Sequence, residues 1–209
     1  PDDDWNGTDT FTYKANDGTD DSNTSTITIT VAAVNDAPTT EDDTASTDED
    51  TAVNVSVTAS DVEGDDVTFS IVSDVSNGTT SLTDSTITYT PDDDWNGTDT
   101  FTYKANDGED DSNTSTITIT VAAVNDAPYT NDMNFTMEED SGSIEDNFDG
   151  GDVDGDTITY TIVTNLENGF AQITNPGELF FDYQPNSHFA GTDSFTFKAN
   201  DGILDSNIS

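Results

Sequence analysis

The sequence predicts an all-β chain of tandem seven-stranded antiparallel Greek-key sandwiches, and three observations predict it. First, PDDDWNGTDTFTYKANDG, continuing through STITITVAAVNDAP, fills residues 1–38 and returns at 91–128 with only Thr19 changed, to Glu109. A third, divergent version begins with PNSHFAGTDSFTFKANDG at 185–202. Recurrence at a fixed period marks an array, so one repeat is the unit of folding. Second, apolar residues alternate strictly with polar ones, the signature of half-buried strands. Third, turn-forming clusters separate these runs every ~8–12 residues, as in a sandwich.

The elements follow in order within the complete repeat. A short strand is expected at about 39–46, then Val53, Val55, Val57 and Ala59 face one way while Asn54, Ser56 and Thr58 face the other. The same period runs through Val67, Phe69 and Ile71, through Ile87 and Tyr89, through Phe101, Tyr103 and Ala105, and through Ile117, Ile119 and Val121, with a further strand near Thr79–Leu82. Threonine fills most alternate positions, which suits a solvated β surface. The turns are DED at 48–50, DVEGDD at 61–66, SNG at 76–78, TDS at 83–85, PDDDWNGTD at 91–99 and NDGEDDSN at 106–113. Each is rich in residues that favour turns. The third copy keeps this scheme, with Phe189 for Trp95 and His188 for Asp94, but its segment EDSGSIEDNFDGGDVDGD is glycine-rich and less regular. Residues 1–34 read as the end of a truncated repeat, 35–124 as a complete repeat, and 125–209 as a repeat lacking its last strand. The whole reads as a window on a longer chain.

Charge limits the function classes. There are 45 acidic residues against three lysines and no arginine, a formal net charge of −42. Nucleic acid and anionic membranes need a basic surface, so both are excluded as partners. A compact fold with this charge repels itself unless salt screens it or cations bind it. Cysteine is absent, so nothing depends on disulfides. No apolar run approaches the ~18 residues of a membrane span. No nucleophile–base pair or cofactor motif is present, so an enzyme is not expected.

Successive loops of such a sandwich fall at alternate ends. The turns at 61–66 and 106–113 lie where the chain enters a repeat, and those at 48–50 and 91–99 where it leaves. Each junction should therefore gather carboxylates around the linker VNDAP. At the first junction these are Asp9, Asn35, Asp36, Asp61, Glu63, Asp65 and Asp107. At the second they are Glu49, Asp50, Asp94, Asp99, Asn125, Asp126, Asp152, Asp154, Asp156 and Asp201. Hard oxygen ligands in this number suit Ca²⁺, which takes six to eight of them in irregular geometry. Zinc would want nitrogen or sulfur, and the chain has one histidine. DVDGD is not an EF-hand, because flanking helices and a glutamate at the twelfth position are missing.

The linker VNDAP, the turns DVEGD and DVDGD and the acidic turn with glutamate are similar to the calcium-binding elements of cadherin repeats. The unit ending in GTDTFTYKANDG and STITITV resembles the cadherin-like or bacterial immunoglobulin-like tandem repeats of large bacterial surface adhesins. That resemblance implies calcium at the junctions, rigidifying a rod of extracellular domains, with ligand roles for Asn35, Asp36, Asp61, Glu63, Asp65 and their third-copy counterparts. It implies a stalk or spacer at the cell surface, whose partners are neighbouring repeats of the same chain. Two other readings stay open: lateral or strand-exchanged assembly of like chains into a filament, and glycan binding by the aromatic of the 91–99 turn. Trp5, Trp95 and Phe189 otherwise serve as core plugs, and Lys14, Lys104 and Lys198 as partners in local ion pairs.

Overall fold

The computed structural model describes residues 1–164, 166–173 and 179–209. Among them every regular element is a strand, eighteen in all. The chain forms two compact units, Pro1–Ala122 and Ala123–Ser209, and each is described by itself.

In the first unit, β1 (Gly7–Tyr13) and β2 (Ser25–Val31) form an antiparallel hairpin. The complete repeat follows as β3 (Thr39–Thr40), β4 (Asp43–Asp48), β5 (Val53–Ser56), β6 (Ala59–Ser60), β7 (Thr68–Ser73), β8 (Gly78–Thr83), β9 (Thr86–Pro91), β10 (Gly97–Asn106) and β11 (Ser115–Ala122). One sheet runs β4-β11-β10-β7, and β5-β9-β8 with the short pair β3-β6 supplies the opposite side. The core lies between them: Val55, Val57, Ile87 and Tyr89 meet Phe101, Tyr103, Ile117, Ile119 and Val121. The period of two places all nine on inward positions.

Two expected strands are broken, and the sheets are not purely antiparallel. The run at 39–46 divides because β3 pairs with β6 whereas β4 crosses to the other sheet and runs parallel to β11. Hydrogen bonds fix the crossing point: the Tyr103 hydroxyl donates to the Glu41 carbonyl at 2.8 Å, and the Thr116 N–H to Asp42 Oδ1 at 2.6 Å. The run at 53–59 divides between β9, which pairs with β5, and β3, which pairs with β6. One strand serving two sheets shields edges that would otherwise template aggregation.

In the second unit the strands are β12 (Tyr129–Thr130), β13 (Ile144–Asn147), β14 (Gly150–Gly151), β15 (Thr159–Ile162), β16 (Gly169–Ile173), β17 (Phe180–Pro185) and β18 (Phe197–Asn200). Pairings β12-β14, β13-β17-β16 and β15-β18 repeat those of β3-β6, β5-β9-β8 and β7-β10. The irregular second run is thus present, as β13 and β14. A Cβ on Gly150 would lie 2.4 Å from the Tyr129 carbonyl oxygen, so the glycine permits the close approach of β12. Here the core is aromatic: Phe148 stacks on Tyr160 at 4.5 Å and packs against Phe181 and Phe197.

Candidate metal centre

The pole at which the chain enters the complete repeat is built from the linker and two turns. Gly64, at φ +79°, turns the backbone of 61–66. This lets Asp61 Oδ1 accept the N–H groups of Gly64 at 2.9 Å and Asp65 at 3.0 Å. An Asp accepting from its own turn is a local closure, but it uses one oxygen only. Asp61 Oδ2 is buried without a hydrogen-bond partner. The linker approaches the same turn, with the Asp36 N–H donating to Glu63 Oε2 at 3.2 Å. Asn35 donates from Nδ2 to Asp107 Oδ2 at 3.0 Å and to Asp110 Oδ2 at 3.2 Å.

The third repeat rebuilds the arrangement with altered residues. Gly155 has φ +77°, Asp152 Oδ1 accepts the Asp156 N–H at 3.2 Å, and Asp152 Oδ2 is again buried and unpartnered. The Asp126 N–H donates to Asp154 Oδ2 at 2.8 Å, and Asn125 Nδ2 to Asp201 Oδ2 at 2.8 Å. Carboxylate oxygens of Asp152, Asp154 and Asp156 lie within 4.8 Å of one another. Like charges that close repel by about 1 kcal/mol per pair even at the dielectric of water. An ionised oxygen buried without a partner costs more than a neutral one. Both costs fall if a hard cation sits there, and every donor offered is oxygen, so the residues fit such an ion.

The turn at 106–113 is held rigid by repeated contacts. Lys104 Nζ pairs with Asp111 Oδ2 while Asn106 Nδ2 donates to Asp111 Oδ1 at 2.9 Å. Lys14 with Asp21 and Lys198 with Asp205 do the same, so each lysine has its expected ion pair. Backbone N–H groups of Asp110 and Glu109, then the Asn35 amide, hold the Asp107 carboxyl below its ordinary range. For Asp201 the Asn125 amide acts most strongly, followed by the N–H groups of Leu204 and Ile203. Both carboxyls therefore remain ionised at mildly acidic pH.

The remaining expected residues make contacts within their own repeats. The Asp94 N–H donates to Asp50 Oδ1 at 3.0 Å, with both residues in the left-handed region. In the third repeat, His188 and Asp140 keep this contact and add an imidazole Nδ1 to Asp140 Oδ2 approach of 2.9 Å. Glu49 is 4% exposed, 3.5 Å from Asn96 Nδ2. Asp99 serves the backbone instead, being 5% exposed and accepting N–H groups from Ser76, Asn77 and Thr100. Asp193 does the same for Asn168 and Ser194. Asp99 thus closes the 74–78 turn, and Asp9, its counterpart in the hairpin, is exposed and accepts the Thr10 N–H. Asp110 is a contact that the sequence does not single out, because acidic residues flanking a turn all look alike there. Trp95 packs against the core, with a ring carbon 3.0 Å from where a Cβ on Gly97 would stand. Phe189 covers Gly191 in the same way. This is the plug arrangement.

A family model described as a bacterial Ig domain matches residues 1–30, 35–120 and 125–208. The chain belongs to the bacterial Ig domain family. No curated protein matches the sequence closely enough to count as a relative. Among solved structures, the bacterial Ig chain is similar to mouse cadherin-23 EC22-24, at 18% identity and a TM-score of 0.56, over 94% of this chain and 71% of that one. It is also similar to the human desmocollin-1 ectodomain, at 14% identity and a TM-score of 0.50, over 89% of this chain and 38% of that one. At these identities the likeness is one of fold. An endo-fucoidan hydrolase of glycoside hydrolase family 107 matches 98% of this chain at 21% identity, but the TM-score of 0.36 carries no argument about activity. The bacterial Ig chain spans about a third of that enzyme's length. No helix among the described residues is long and apolar enough to cross a membrane.

Proposed function

We propose that this chain is a calcium-rigidified spacer, a run of tandem bacterial Ig domains in the stalk of an extracellular, cell-surface adhesin or fibre. The observation that carries the reading is the buried, unpartnered oxygen at the same turn position in two repeats, Asp61 Oδ2 and Asp152 Oδ2. In the complete repeat, Asn35, Asp36, Asp61, Glu63, Asp65 and Asp107 would hold the ion. In the third, Asn125, Asp126, Asp152, Asp154, Asp156 and Asp201 would hold it. A bound calcium ion supplies charge neutralisation and a multi-oxygen cross-link.

The residues of the chain supply the coupling. Linker N–H groups already rest on the 61–66 and 152–156 turns. Drawing those carboxylates inward therefore also fixes the direction in which the linker enters the domain. A ligand that binds only the straight arrangement shifts a hinged chain towards it. The net charge of −42 drives the opposite tendency.

Calorimetric titration of the full chain with calcium tests this. Binding is expected at ~10⁻⁴–10⁻³ M, the range of extracellular modules. Asp61→Ala, Glu63→Ala and Asp65→Ala together should remove the first site and leave the fold and the second site intact. Absence of calcium binding to the unaltered chain up to about 10 mM, tenfold above that range, would refute the proposal.

A further inference from the structure

The outer face of the β13-β17-β16 sheet in the third repeat differs row by row from its counterpart in the complete repeat. There the face is rich in hydroxyls. Asn54, Thr88 and Ser81 stand in one row across β5, β9 and β8, with Thr88 Oγ1 donating to Asn54 Oδ1 at 2.7 Å. Thr79 and Thr90 are paired on one side of that row, and Ser56 and Thr86 on the other. The third repeat keeps the register and changes the chemistry. Glu145, Asp182 and Gln172 fill the first row, Phe170 and Gln184 the second, and Asn147 and Phe180 the third. The chain has two glutamines, and both are on this face.

Two aromatic rings thus stand where threonines stand in the complete repeat. Phe170 is 60% exposed and Phe180 half-buried, and strand geometry sets their backbones about 14 Å apart along the face. A cavity of about 290 Å³ opens beside Phe170, bounded by Ile162, Leu166 and Ala171. In the complete repeat Thr80 holds the Ala171 position and donates to Asp74 Oδ1 at 2.7 Å. Alanine cannot make that contact, and the recess it leaves is at the small end of ligand pockets. Between the two rings Asp182 is short of donors. Its Oδ1 is buried without a partner, and its Oδ2 accepts a long bond from Gln172 Nε2 at 3.4 Å. The carboxylate torsion of an aspartate is broad, so either oxygen can be turned outward.

We propose that this face binds a neutral glycan chain, stacked on Phe170 beside the recess and hydrogen-bonded by Gln172, Asp182 and Gln184. A sugar ring presents C–H groups on its face and hydroxyls around its edge. The C–H groups pack on an aromatic face, whose quadrupole is negative. The hydroxyls both donate and accept, which matches amides that do both and a carboxylate that lacks donors. Glu145 and Asp182 repel an anionic polysaccharide. Charge does not single this face out for a basic peptide, because carboxylates cover the whole chain at a net charge of −42. Rings and glutamine amides are what separate it from its threonine-lined counterpart.

Affinity electrophoresis of the full chain through gels containing soluble mannan, dextran or galactan tests this, in chelator so that cation binding does not enter the result. At least one of these polysaccharides should retard the chain. Phe170→Ala should raise the apparent Kd about tenfold or more, with the near-ultraviolet circular dichroism of the folded chain retained because the ring is exposed. Gln172→Ala should weaken binding in the same direction, and Thr79→Ala, at the matching position of the complete repeat, should leave it unchanged. Mobility unaffected by all the neutral polysaccharides overturns the proposal. So does retardation that survives Phe170→Ala combined with Gln172→Ala, which would place binding elsewhere. Retardation by alginate or oligolysine alone overturns it as well, by assigning an acidic glycan or a basic peptide instead.

Discussion

Phe101→Ala should destabilise the complete repeat by about 3–5 kcal/mol, whereas Phe11→Ala, the same residue of the same repeated stretch, should change its stability by less than about 0.5 kcal/mol. Phe101 is fully buried, pairs across β10 and β11 with Ile117, and stands in the core with Tyr89 and Ile119. Truncation leaves a cavity that two packed sheets cannot collapse around. Phe11 pairs with Ile27 in the same register but is 52% exposed, because the hairpin has no opposing sheet. For a domain of this size the loss corresponds to a fall in Tm of roughly 12 °C or more. Thermal unfolding monitored by near-ultraviolet circular dichroism reads it. Equal effects at the two positions would mean that the hairpin shares a core that these exposures deny.

Calcium should raise Tm by roughly 10–20 °C at about 100 times its Kd. This follows from a linkage gain of about 2.7 kcal/mol and the usual ratio of free energy to melting temperature for a small domain. Asp61→Asn with Asp152→Asn should abolish the rise. Each change keeps an oxygen for the turn N–H groups while removing the charge that a cation needs. Magnesium at the same ionic strength should give a smaller rise, since it demands a nearly octahedral cage and releases water reluctantly. Scanning calorimetry in calcium, magnesium and chelator separates binding from screening. An equal rise with all salts would assign the effect to screening of the chain's charge.

Much of this architecture is legible in the sequence because the core is written in a period of two. Phe101, Tyr103, Ile117 and Ile119 are inward in the sequence and buried in the structure. The internal duplication gives the repeat length without any comparison. The breaks in the runs at 39–46 and 53–59 are not legible, because no glycine or proline marks them. They arise where a strand changes partners, which is a tertiary event. Asp99 shows the same limit at the site. Its acidic neighbours in PDDDWNGTD look equivalent, yet it is buried by the N–H groups of Ser76 and Asn77, far away in sequence. Asp61 and Asp152 are legible because a glycine three residues on forces the turn that exposes one carboxylate oxygen to it and leaves the other without a partner.

Whether cations turn the array into a spacer is decided by small-angle scattering of the full chain, in calcium and then in excess chelator at matched ionic strength. Calcium should give a longer maximum dimension and a narrower distribution of distances, reversed by chelator and absent when Asp61 and Asp152 are both replaced by asparagine. Superimposable curves in the two buffers would contradict a calcium-rigidified spacer.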